Sequence, residues 1–179
     1  MQRRRRVALI AGLSLIVATM AATVATALPQ VMSMTTHMST AEEVPVPNFD
    51  LIERNPQGTT VLKLDNHGNL TYRLNVANIE NVLMAHIHLG QAGATGDVVV
   101  WLYPAGPPPQ LIPGFSNGTL ATGTITADDL VGPLAGVTID DLLDHIRAGN
   151  AYVNVHTTQN PPGEIRGQIS ARGPGAHGH

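Results

Sequence analysis

The sequence predicts an all-β domain, an antiparallel Greek-key sandwich or barrel with one short crossover helix. Short stretches of alternating apolar and polar residues recur from Thr59 to Ser170, turns rich in Gly, Asn and Pro separate them, and the period lengthens to that of a helix in one substantial segment. Thr59 to Asp65 is rich in β-formers, and the turn Asn66-His67-Gly68-Asn69 leads into Leu70-Thr71-Tyr72-Arg73-Leu74-Asn75-Val76, which alternates cleanly, so the two runs form a hairpin. His67 belongs to that turn. Val82 to Leu89 and Asp97 to Tyr103 form a second hairpin across the glycine-spaced loop Gly90 to Gly96. Pro104 to Pro113 holds five prolines, which remove ladder donors and make it a surface excursion rather than a central strand; Gly118 to Thr126 resumes as a strand. Asp128-Asp129-Leu130 adds a single turn. Thr138 then caps a helix over 139–148, with Asp140 and Asp141 in its first turn, apolar residues at 139, 142, 143 and 146, and Gly149 behind it. His145 lies near its C-terminal end, where the helix dipole favours an imidazole. Asn150 to Thr157 and Gly163 to Ser170 are the last strands.

The two ends read differently. Four arginines, Arg3 to Arg6, precede an uncharged run from Val7 to Ala27 that closes on Ala25-Thr26-Ala27. This is the layout of a secretory signal peptide, cleaved after Ala27. The run also approaches the roughly 18–20 residues of a membrane span, so an uncleaved anchor is the alternative, with the arginines holding the N-terminus inside. Both place the domain outside the cytoplasm, in contact with a membrane only if the leader stays. Residues 28–48, rich in Met, Thr, Ser and Pro, read as a flexible tether, 49–171 as the β domain and 172–179 as a disordered tail whose histidines are exposed weak ligands at most. The formal charge of −3 includes the leader arginines; without those four cations it is nearer −7, with no basic patch, which argues against nucleic acid as a partner. There is no cysteine, so no disulfide can form and any metal site is built without thiolates.

Strand pleat places His86 and His88 on one face, with Ala85, Ile87 and Leu89 on the other; in the late strand Tyr152, Asn154 and His156 share a face opposite Ala151, Val153 and Val155. If these strands are neighbours, three imidazoles converge as a mononuclear copper or zinc site requires. The plainer alternative is that they hydrogen-bond to backbone and to each other. Asp97 could add an oxygen ligand, although its place at a strand start suits a turn residue. Met32, Met34, His37 and Met38 gather soft ligands suited to Cu(I), against the plainer reading of incidental methionines in a tether. On the last strand Glu164, Arg166 and Gln168 share a face. With Asn154 they can form cross-strand pairs on a solvated sheet face, each worth about 0.2–1 kcal/mol, and that is the preferred reading for Glu164. Arg166 beside the imidazoles could hold Asn154 and a backbone carbonyl, or steer an anion. No Ser-His-Asp, Cys-His or paired-carboxylate pattern stands out.

Glu43-Val44-Pro45-Val46-Pro47, Ala85-His86-Ile87-His88-Leu89-Gly90 with Gly96, Ala148-Gly149-Asn150-Ala151-Tyr152-Val153-Asn154-Val155-His156-Thr157, and Asn160-Pro161-Pro162-Gly163-Glu164-Ile165-Arg166-Gly167-Gln168-Ile169 resemble the chordin-type, or CHRD, domain over about residues 41–171. The resemblance implies a secreted β-sandwich-like module with no established reaction. The first strands and the proline-rich insert depart from the usual pattern. A looser similarity links the His-x-His strand, its Gly-rich loop and the late Val-x-Val-His strand to the copper strands of Cu/Zn superoxide dismutase. It implies His86, His88 and His156 as copper ligands and Arg166 as an anion guide if the chain is dismutase-like; the strand faces themselves put Asn154 and Arg166 around the histidines as candidate supporting groups. Counterparts of the zinc-loop histidines, the bridging histidine and the disulfide are missing. Three functions follow: an exported CHRD-domain binding module with a His-based copper or zinc site, a metal-free adhesion or interaction module for an extracellular or cell-envelope partner, and a dismutase-like redox enzyme.

Overall fold

The computed structural model of the chain describes residues 32–45 and 55–172; the leader, parts of the tether and nearly all of the tail lie outside the described residues. Among the described residues eight strands form one antiparallel sheet: β1 (Met32–Ser39), β2 (Gln57–Leu64), β3 (Leu70–Leu89), β4 (Val98–Tyr103), β5 (Ile112–Ile125), β6 (Ala151–Thr157), β7 (Ile165–Gln168) and β8 (Ser170–Arg172). Between β5 and β6 lies α1 (Ile139–Arg147). Among the described residues the all-β prediction with a single short α-helix holds, and the sheet closes like a barrel.

Closure depends on β3. Its first half pairs with β2 on one edge and β5 on the other, and its second half pairs with β6 and β4. The pairings β3–β2, β2–β1, β1–β7, β7–β6 and β6–β3 therefore return to their start. Two separate strands, 70–76 and 82–89, were expected where one 20-residue strand runs. The interruption is real but is made of bulges: the register shifts between Val76 and Ile79 and between Glu80 and Val82. Asn78 and Asn81 sit there at φ 56° and 54°, a region asparagine tolerates better than most residues. Asn81 Oδ1 accepts from the Gly114 N–H, and Asn117 Oδ1 from the Asn78 N–H, so β5 covers the kink. β5 begins at Ile112 rather than at Gly118; with Pro113 on it, this edge strand agrees with the rule that keeps proline out of sheet centres.

The tether reading is corrected between residues 32 and 39. Met34, Thr36 and Met38 alternate inward and are buried, and β1 pairs with β2 along its whole length and with β7 and β8 at its ends. The polar Ser, Thr and His between the methionines hid a two-residue period whose inward side is thioether, a flexible filler of irregular core space. The core gathers Met34, Leu62, Leu74, Ile87, Val153, Val155 and Ile165. Onto it α1 adds Leu142, Leu143 and Ile146, with Thr138 and Asp141 forming a capping box at its start. Each such side chain contributes about 1.5–3 kcal/mol relative to exposure.

Candidate functional site

In the second half of β3 both faces are covered. Ala85 and Ile87 enter the apolar core, while His86 and His88 lie on the opposite face at 2% and 7% exposure. β6 runs antiparallel beside them, with Tyr152 across from His88, Asn154 across from His86, and His156 diagonal to His86. This register brings ring nitrogens of His86, His88 and His156 within 4.8 Å of one another. Among the described residues this is the group of histidines and acids close enough to hold an ion; Asp97 and His37 are not in it. Asp97 instead offers its main-chain carbonyl to the Leu89 N–H at the loop end.

Hydrogen bonds fix the tautomers of two rings. His88 Nδ1 donates to the Gly96 carbonyl at 3.0 Å, and His156 Nδ1 donates to the Pro161 carbonyl at 3.0 Å. A neutral imidazole with its proton on Nδ1 presents a lone pair on Nε2. His86 Nδ1 lies 3.2 Å from His156 Nε2 and therefore donates to that lone pair. The Nε2 atoms of His86 and His88 are buried without a partner. His88 thus combines a carbonyl-anchored Nδ1 with a free Nε2, the arrangement found around metal-ligating histidine.

Burial, followed by the repulsion of its two neighbouring imidazoles, pushes His86 down to about 3. Burial and the His88 charge push His156 down to about 4, against the two carbonyls at Pro161 and Pro162. Burial also lowers His88, opposed by its bond to Gly96. All three rings are thus neutral at pH 7, the state in which imidazole coordinates. Aromatic contacts hold the rings: Trp101 meets His86 edge-on with centroids 4.3 Å apart, and Tyr152 stacks on His88 at 4.9 Å and 8°.

The solvated-face reading of Glu164, Arg166 and Asn154 is overturned, because they are 2%, 2% and 4% exposed. Charged residues are rarely this buried without partners, and each has its own. Glu164 Oε2 accepts from Thr157 Oγ1 at 2.5 Å, Gln159 Nε2 at 3.2 Å and Asn160 Nδ2 at 3.2 Å. The Arg166 guanidinium lies 3.4 Å over the Tyr152 ring and donates to the Gln91 carbonyl at 2.9 Å. Engaged below the surface in this way, it holds a loop carbonyl and is not placed as an anion guide. Glu43, which follows the turn after β1, is also buried; loss of hydration raises it to about 7, although the charge of Arg166 pulls the other way. A Cβ on Gly163 would sit 2.6 Å from both Glu43 Oε1 and Asn154 Oδ1, so the loop needs glycine there.

The proposed soft set does not assemble around His37. Met34 and Met38 are in the core, whereas His37 is exposed on the other face of β1. Sequence reasoning did not assign roles to Glu43, Trp101 and Tyr152. The two-residue period already placed Tyr152 beside His156, but the partner strand that carries Trp101 next to His86 depends on register across β3 and β4.

The family model described as the CHRD domain matches residues 34–169. Chordin from Xenopus laevis is 32% identical over 120 residues, which cover 63% of this chain and 11% of that protein. The chain thus spans about a tenth of the length of the curated relative. No solved structure matches. Among the described residues no helix is long and apolar enough to cross a membrane.

Proposed function

The chain belongs to the CHRD domain family, and from that premise we propose that it is an exported extracellular binding module whose polar face holds one copper or zinc ion between His86, His88 and His156. The observation that carries this reading is the convergence of three ring nitrogens within 4.8 Å: His88 and His156 each give their Nδ1 proton to a main-chain carbonyl, the Nε2 atoms of His86 and His88 have no partner, and His156 Nε2 is engaged by the His86 ring of the same cluster. Three neutral nitrogens with no carboxylate among them suit Cu or Zn rather than Ca or Mg. The role is binding and not turnover, because the rings and Arg166 are nearly sealed from solvent. An extracellular or cell-envelope partner would meet the outer surface of the module, with export directed by the leader.

The test is metal content. Protein purified without a His-tag and dialysed against buffer should carry close to one equivalent of copper or zinc, and the H86A/H88A/H156A variant none. Wild-type protein that stays empty after exposure to either ion would replace this reading with the metal-free interaction module. Protein recovered outside the cell should begin at or near Leu28; intact Met1 in a membrane fraction would identify an anchor instead.

A further inference from the structure

Glu164, Arg166 and Gln168 face the same way on and beside β7, and none is bonded to a histidine. Each instead grips a loop, and the two loops concerned supply the carbonyls that orient His156 and His88.

The first loop is Thr157 to Gly163. Its turn is closed by the Thr157 N–H and the Gly163 N–H, both donating to the Asn160 carbonyl, and by the Asn160 N–H donating to Thr157 Oγ1. One oxygen, Glu164 Oε2, collects the side-chain donors of Thr157, Gln159 and Asn160 and so ties three of its residues together. The product of this clamp is the position of the Pro161 carbonyl, which receives the His156 Nδ1 proton. The second loop is Gly90 to Asp97. Arg166 donates to the Gln91 carbonyl, which also receives the Ala94 N–H, and Gln168 Nε2 donates to the Gly90 carbonyl at 3.0 Å. Tyr152, under the Arg166 guanidinium, accepts the Gly96 N–H at 3.2 Å. The product here is the Gly96 carbonyl, which receives the His88 Nδ1 proton.

We propose that the strand Glu164 to Gln168 is the positioning element of the histidine cluster, with Glu164 selecting the tautomer of His156 through Pro161 and Arg166 selecting that of His88 through the Gly90–Asp97 loop. Buried side chains hold two loops, and one carbonyl of each loop holds a histidine proton. The tautomer part stands on the hydrogen bonds alone; its effect on affinity rests on the metal reading above.

Imidazole 15N–1H correlation spectra of metal-free protein read the tautomers directly. Wild type should show His88 and His156 with the proton on Nδ1. In T157V, a near-isosteric change without charge, and in E164A, His156 should become a tautomer mixture while His88 keeps its proton on Nδ1. E164Q should rescue His156, because a single oxygen accepts all three donors and the amide retains one. R166M should have the opposite selectivity, loosening His88 and sparing His156. Backbone spectra confirm that each variant is folded; should R166M fail to fold, T157V and E164A against E164Q still decide the Glu164 half. Unchanged His156 in folded T157V and E164A, or equal disturbance of both rings, would overturn the proposal. On metal addition, T157V and E164A should bind copper or zinc about 10–100-fold more weakly than wild type. Tautomers that shift as stated in a protein that binds no metal leave the positioning role standing and remove the metal reading.

Discussion

Titrating copper or zinc into the metal-free protein should raise its melting temperature by an amount the fold itself sets. A ligand that binds only the folded state stabilises it by RT ln(1 + [L]/Kd), about 2.7 kcal/mol at a free concentration of 100 Kd. Unfolding entropy near the midpoint is about 2.1 cal/mol/K per residue. For the roughly 130 residues of the described body this gives about 0.27 kcal/mol/K. The ion should therefore raise Tm by about 10 °C at that saturation, and by a further ~5 °C for each tenfold rise in free ion. His88→Ala removes one of three nitrogens and also the ring stacked on Tyr152, so its metal-free Tm falls. The quantity to compare is the metal-induced increment, which should collapse to near zero. Differential scanning fluorimetry with buffered free metal provides the assay. An increment of equal size in wild type and H88A would refute the reasoning, since the ion would then sit elsewhere.

Three other outcomes follow from the buried groups and the loop around the histidines. Metal-free protein should lose stability as pH falls below 6.5, because the unfolded chain protonates three histidines whose folded values are depressed, two of them to about 3 and 4. Glu43 opposes this, since its folded value near 7 against 4.5 unfolded contributes stability below 4.5 that is lost as pH rises through 7. His86 and His156, less the proton that folded Glu43 already holds, leave a net difference of about one proton near pH 5, a slope of roughly 1–2 kcal/mol per pH unit in chemical denaturation to which His88 adds in the same direction; a flat profile from pH 6.5 to 4.5 would contradict it. Arg166→Met should cost about 1–3 kcal/mol in urea titrations by leaving the Gln91 carbonyl without its guanidinium donor and Tyr152 without the cation over its ring. Gly96→Ala would place a Cβ on the Leu89 carbonyl, so the loop must move; a loss of about 1–3 kcal/mol is expected, together with weaker metal binding in an equilibrium competition assay.

The histidine face was legible because a two-residue period needs no knowledge of neighbours: His86 with His88, and Asn154 with His156, follow from pleat alone. What brought them together, the pairing of Met84 with His156 and of His86 with Asn154, is a tertiary register with no local signature. The carbonyls of Gly96 and Pro161 were invisible for a stronger reason, since every residue has a carbonyl and only its direction matters. Glu164 and Arg166 were misplaced at the surface because a charged side chain on a strand is ordinarily solvated; here two loops fold over them. β1 was missed where inward methionines alternate with Ser, Thr and His in a segment rich in tether residues. One consequence is that deleting residues 32–38 would remove a strand of the sheet, where a tether would have been dispensable.

The first described strand also pairs with the last: Ser33, Met34 and Thr35 lie against Arg172, Ala171 and Ser170, and Ser39 against Arg166. A chain emerging from its N-terminal end thus carries β1 for more than a hundred residues before those partners exist. Contacts of such sequence separation slow folding, because the entropy of closing the loop is lost before the contact forms. Synthesis can therefore build the β2–β3 hairpin early, yet the ring of strands cannot shut until the C-terminal strands arrive. The topology itself thus postpones closure until nearly the whole of the described body has been made.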